Sequence, residues 1–119
     1  MKTSTYLVCA LMMFGATLAT TANGQDNPIA GRAKTLTQQI AAKTHLNEGQ
    51  YVKVKQLNLR MLTAVESLKK QFAADPEALD LRLAEVQNIY EWDLATVLRP
   101  RQMTAYDDAK SSMTAFNGR

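Results

Sequence analysis

The sequence predicts an all-α protein: a long antiparallel helical hairpin flanked by a shorter helix at each end, about four helices in all. Three observations carry this. Glycine and proline are sparse, 5 and 3 among 119 residues, and Val and Ile are few beside the helix formers Ala, Leu, Gln, Lys and Glu. Apolar residues recur at spacings of three and four along most of the chain after residue 28, the period of one face of an α-helix. Helix-start chemistry falls at the breaks between these stripes: Asn or Asp before Pro, and Asn with Gln three residues later.

Residues 1–24 stand apart. Lys2 precedes an apolar run from Tyr6 to Ala19, and small polar residues follow, with Ala22-Asn23-Gly24 fitting a small-x-small cleavage site. This reads as a secretory signal peptide cut before Gln25, with Ala22/Asn23 as a competing junction. The run is shorter than the roughly 20 residues a membrane span needs. An uncleaved N-terminal anchor is the alternative. The expectation is therefore export to the periplasm or beyond, with no stable membrane span after cleavage. Residues 25–119 would form a single helical domain. Cys9 is the sole cysteine and lies in the leader, so that domain has no thiol and no disulfide. Without Lys2 there are 13 basic and 11 acidic residues, a net charge of +2. That is too small and too interspersed for a nucleic-acid surface. A domain this size buries a modest core, so association would stabilise it.

Asn27-Pro28 opens the first helix, as a cap followed by a first-position proline. Ile29, Ala33, Leu36 and Ile40 make its stripe, and it should run to about residue 43. The second helix should span about 48–73, with Val54, Leu57, Met61, Val65, Leu68 and Phe72 on one face. Asp75-Pro76 ends it, because a residue before proline is pushed out of the α region, and the same pair opens the third helix, about 76–97. Leu79, Leu83, Val86, Tyr90, Leu94 and Val97 form that stripe. So short a turn folds the two long helices back on each other. Equal spacing from the turn pairs Phe72 with Leu79, Leu68 with Leu83, Met61 with Tyr90 and Val54 with Val97. A last helix, about 100–115, carries Met103, Tyr106, Ala109 or Lys110, and Met113. Asn117 and Gly118 suit its end.

Two related boxes organise these breaks. Leu46-Asn47-Glu48-Gly49-Gln50 returns as Leu98-Arg99-Pro100-Arg101-Gln102. Asn47 can cap a helix through its side-chain oxygen, and Gln50 holds the position from which a side chain reaches back to the cap's own N–H. Gln102 repeats that role, and Pro100 sits where a missing N–H costs nothing. Leu46 and Leu98 precede the caps, where a hydrophobic staple belongs. Arg99 has no acceptor, so the second cap lacks its side-chain bond.

Two such boxes about fifty residues apart, in a short exported helical chain, resemble the LTxxQ proteins, the Spy/CpxP family of periplasmic stress proteins. The resemblance covers most of the chain after residue 30. The family's usual Thr is replaced by Asn47 in the first box and Arg99 in the second. It implies a cradle-shaped, dimeric periplasmic protein whose concave face holds unfolded or misfolded proteins without ATP during envelope stress.

The residues offer little for catalysis. His45 is the only histidine, and no serine sits in a nucleophile motif. The carboxylate pairs Asp107/Asp108 and Glu91/Asp93 are too close in sequence to face one another on a helix and read as solvated charges. His45 beside Glu48 falls short of a metal cluster, and Met61, Met103 and Met113 read as core filler. No enzyme activity, cofactor or metal is expected. What remains is surplus apolar surface. On the second helix Val52 and Leu59 lie almost opposite the main stripe, and Leu62 sits between the two faces. On the third, Leu81 and Trp92 lie off the stripe. Lys53, Lys55, Arg60, Lys69 and Lys70 interleave with this surface. Val52, Lys55, Leu59, Leu62, Leu81 and Trp92 are the candidate contact residues, facing other helices, a second subunit or a client. The expected function is ATP-independent holding of unfolded envelope proteins by a homodimer. The alternatives are a metal-responsive stress sensor or regulator and a small adaptor for one folded partner.

Overall fold

The computed structural model describes residues 27–113. Among them are four α-helices and no strand: α1 Pro28–Thr44, α2 Glu48–Gln71, α3 Pro76–Val97 and α4 Pro100–Ala109, with a 3₁₀ turn at Lys110–Ser112. The leader and the residue 116–119 tail lie outside the described residues.

Local chemistry sets the helix starts. Asn27 Oδ1 accepts from the N–H of Ile29 at 2.9 Å, Asn47 Oδ1 from that of Gln50 at 2.8 Å, and Asp75 Oδ1 from that of Ala78 at 3.1 Å. Arg99 makes no side-chain cap bond. α1 ends at His45, in the left-handed region at φ 57°, with its N–H donating to the carbonyl of Ala41. The last helix is shorter than its pattern suggests: regular α geometry stops at Ala109 and one tighter turn carries the chain to Met113.

α2 is the central helix, packed along α1 on one flank and α3 on the other, while α4 lies against α1 and touches α3 more lightly. Cross-helix bonds fix the directions. Asn58 bonds to both Thr37 and Tyr90, Arg32 pairs with Glu66, and Gln50 reaches the carbonyl of Val97. α1 and α3 therefore both run antiparallel to α2. The core sits where all four helices overlap: Leu36 and Ile40 of α1, Val54 and Leu62 of α2, Tyr90 and Leu94 of α3, and Tyr106 of α4 are buried. A polar chain crosses it. Tyr90 donates its hydroxyl hydrogen to Asn58 Oδ1, Asn58 Nδ2 donates to Thr37 Oγ1, and Thr37 donates to the carbonyl of Ala33. Every member has a partner, which such a buried network requires.

α4 is short, and the chain after it bonds back to α3 at Glu91, so α4 does not reach the far end of the hairpin. There Leu68, Phe72, Leu79 and Leu83 are only half-buried and stand outside the core cluster. Instead the Arg82 guanidinium lies over the Phe72 ring, 5.9 Å from its centroid.

Candidate protein-binding surface

The two boxes meet at the base of the bundle. Gln50 Nε2 donates to Gln102 Oε1 at 2.8 Å, and Gln102 Nε2 donates back to Gln50 Oε1 at 3.0 Å. Each Oε1 also accepts from its own cap residue's N–H, that of Asn47 at 3.1 Å and of Arg99 at 2.8 Å. Each Nε2 also reaches the end of the helix before the other box: Gln50 to the carbonyl of Val97, and Gln102 to those of Thr44 and His45. The two glutamines thus stitch two helix starts to two helix ends with approximate two-fold symmetry. Leu98 is buried and Leu46 half-buried beside them. The sequence gives the box spacing but not this mutual contact. Its only hint was the repetition of Gln at the same place in each box.

The box residues are therefore structural, and the candidate contact residues lie elsewhere. Leu81 and Trp92 stand out from α3 at 69% and 70% exposed, and Val52 and Leu59 from α2 at 55% and 41%. Lys55 is also exposed. Leu62 is not part of this surface: it is 1% exposed and belongs to the core. α1 packs on the flank of α2 that carries Asn58, Leu62 and Glu66, so a residue between two faces becomes an interior one. Ile89, not singled out by pattern, is 62% exposed. It borders the α3 stripe, where spacing alone does not separate covered from open.

Ile89 belongs to a groove of about 150 Å³ between α2 and α3. Leu57, Met61, Val86 and Tyr90 make an apolar floor. Arg60 and Ala64 form one bank, Ile89 and Asp93 the other. These bank residues lie on the flanks turned away from α1 and α4, because α1 bonds at Asn58 and Glu66 and the chain after α4 bonds at Glu91.

Glu91 corrects its reading as a solvated charge. It is partly buried and accepts from Lys110 Nζ at 2.9 Å and from Gln87 Nε2 at 2.9 Å. Burial alone would raise its carboxyl, but the bonds from Gln87 and Lys110, with the Lys110 charge, hold it below the ordinary value. The bond to Glu91 raises the Lys110 ammonium. The Arg32 hydrogen bond likewise lowers Glu66. Burial pushes the phenols of Tyr90 and Tyr106 upward, so both stay neutral donors.

Among the described residues no group of three or more His, Cys, Asp or Glu side chains could hold a metal ion. No described helix is long and apolar enough to cross a membrane. Comparisons with protein-family models, curated proteins and solved structures find no match to this chain.

Proposed function

We propose that this chain is an ATP-independent holding protein of the exported envelope, binding unfolded proteins through apolar side chains on the outer faces of α2 and α3. The observation that carries the reading is the row of large apolar side chains left open on one small hairpin, with Leu81 and Trp92 each about 70% exposed. Exposed apolar groups of this size favour contact with chains that have not buried their own, and exposed Lys53, Lys55 and Arg60 flank those on α2. The box resemblance points the same way, and the leader would deliver the chain to the periplasm. Binding is weak and many-point, through side-chain burial and charge, with no bond made or broken.

The test is light scattering of a chemically unfolded client diluted into buffer with the purified protein. Suppressed aggregation at stoichiometric ratios is expected, and it should be largely lost in a L59S/L81S/W92S variant that keeps its helical circular dichroism. A wild-type protein that leaves aggregation unchanged would sink the reading. One defined complex with a folded protein, in a chain that ignores unfolded clients, would instead favour the adaptor.

A further inference from the structure

We propose that the outer face of α2 is a docking surface for an anionic lipid bilayer, on which the protein lies with α2 parallel to the membrane plane. This goes beyond client holding and does not rest on it, since the two most exposed apolar side chains of that reading, Leu81 and Trp92, are on α3.

The first argument is charge. The net charge of the chain is small, but the fold sorts it by helix. α1 carries three basic residues and no acidic one, and α2 five and two, together +6. α3 carries one basic and five acidic residues, and α4 one and two, together −5. α1 packs along α2, so the two basic helices adjoin. An anionic surface attracts this pair and repels α3 and α4, which gives the contact one orientation.

The second argument is the face itself. Val52, Gln56, Leu59, Thr63, Ser67 and Lys70 recur at spacings of three and four and are all exposed, so one strip of α2 is covered by no other helix. Lys53 and Arg60 border this strip on one side and Lys55 on the other. No acidic residue lies between Gly49 and Val65. Glu66, the next one, is partly buried and paired with Arg32 of α1 at 2.8 Å. None of Lys53, Lys55 and Arg60 forms an ion pair with another described residue.

The third argument is the mixture of side chains. A soluble polyanion would satisfy the cations but leave Val52 and Leu59, 55% and 41% exposed, in water. A bilayer interface takes both. Its phosphates meet the ammonium and guanidinium groups at the ends of their long stems, while Val52 and Leu59 enter the boundary between headgroups and acyl chains. From Val52 to Lys70 the strip spans roughly 27 Å of helix, a row that a planar surface can meet along its length.

The test is flotation of the exported form, residue 25 onward, with vesicles containing phosphatidylglycerol and with vesicles of phosphatidylcholine alone. Binding to the first and not the second is expected, and raised salt should release it. K53E/K55E should weaken binding about 10-fold or more, whereas E77Q/E85Q on α3 should not weaken it. V52S/L59S should weaken vesicle binding several-fold and leave binding to soluble polyphosphate unchanged. Circular dichroism checks that each variant keeps its helices. A wild type that does not float with anionic vesicles, or a helical K53E/K55E variant that floats as wild type does, would overturn the proposal. So would a V52S/L59S variant with wild-type vesicle affinity, since the face would then be a site for soluble polyanions. No client is present, so failure here leaves client holding untouched.

Discussion

The base and the tip of the same hairpin teach opposite lessons. At the base, α2 and α3 are covered by α1 and α4, and each apolar stripe finds partners: Val54, Met61, Tyr90 and Leu94 are buried. At the tip, stripes of the same spacing continue through Phe72 and Leu79, but α4 does not extend there and they stay half-open. The pattern is equal, so the difference in burial comes from the number of neighbours. Without α4 each stripe has fewer partners than in the four-helix overlap. A protein that must fold firmly and still present apolar surface can do both by making the hairpin longer than its cover.

The sharpest way to break this comparison is to cut equal side chains at the two ends. Leu94→Ala at the base should cost about 2–5 kcal/mol, as for other buried leucines. Leu83→Ala at the tip should cost clearly less, about 1 kcal/mol, because much of that side chain already meets water. Denaturant unfolding with an unchanged m-value would measure both. Equal costs would mean the tip is as well packed as the base.

The glutamine clasp comes next. Gln50→Leu or Gln102→Leu should each cost about 1–3 kcal/mol, since each leaves partly buried carbonyls and the other amide without partners. The double variant should cost less than the two singles added together, because one contact cannot be lost twice. Additive losses would show two independent caps.

A smaller effect depends on pH. Glu91 is held below its ordinary value, so it adds stability above the normal carboxylate range, and that addition is lost as pH falls through its folded value. Lys110 is raised, so its share is complete below the ordinary lysine value and is lost as pH rises through the folded one. With Lys110 about a third exposed, solvent screening keeps the pair within about 1 kcal/mol. E91Q should flatten the acid limb of the stability curve below the ordinary carboxylate range, and an unchanged limb would remove Glu91 from the account. The smallest change expected is His45→Gly, which should stabilise by up to about 1 kcal/mol by relieving a left-handed backbone in a non-glycine residue.

Much of the fold was legible because its signals are local. Asn27, Asn47 and Asp75 cap what their spacing says they cap, and Pro76 both stops one helix and begins the next. What was not legible depends on third partners. Leu62 lies between two faces of α2, and only the placement of α1 decides that it is interior. Glu91 and Lys110 are nineteen residues apart, and nothing in either segment announces the other. Gln50 and Gln102 were visible as two caps, but their contact follows from the closing of the whole bundle. Of the surface, Val52, Lys55, Leu59, Leu81 and Trp92 were legible as residues opposite a stripe, whereas Ile89 borders one, where the pattern is silent.

The most direct test of the central claim uses Trp92, the single tryptophan of the chain and one of its most exposed apolar side chains. Its fluorescence can be followed while a tryptophan-free, chemically unfolded client is added at native pH. If the outer face of α3 holds clients, the emission should shift to the blue and saturate near stoichiometric client, with no shift on adding the same client already folded. Emission that stays at the wavelength of a water-exposed indole, while the client aggregates unhindered, would contradict the account.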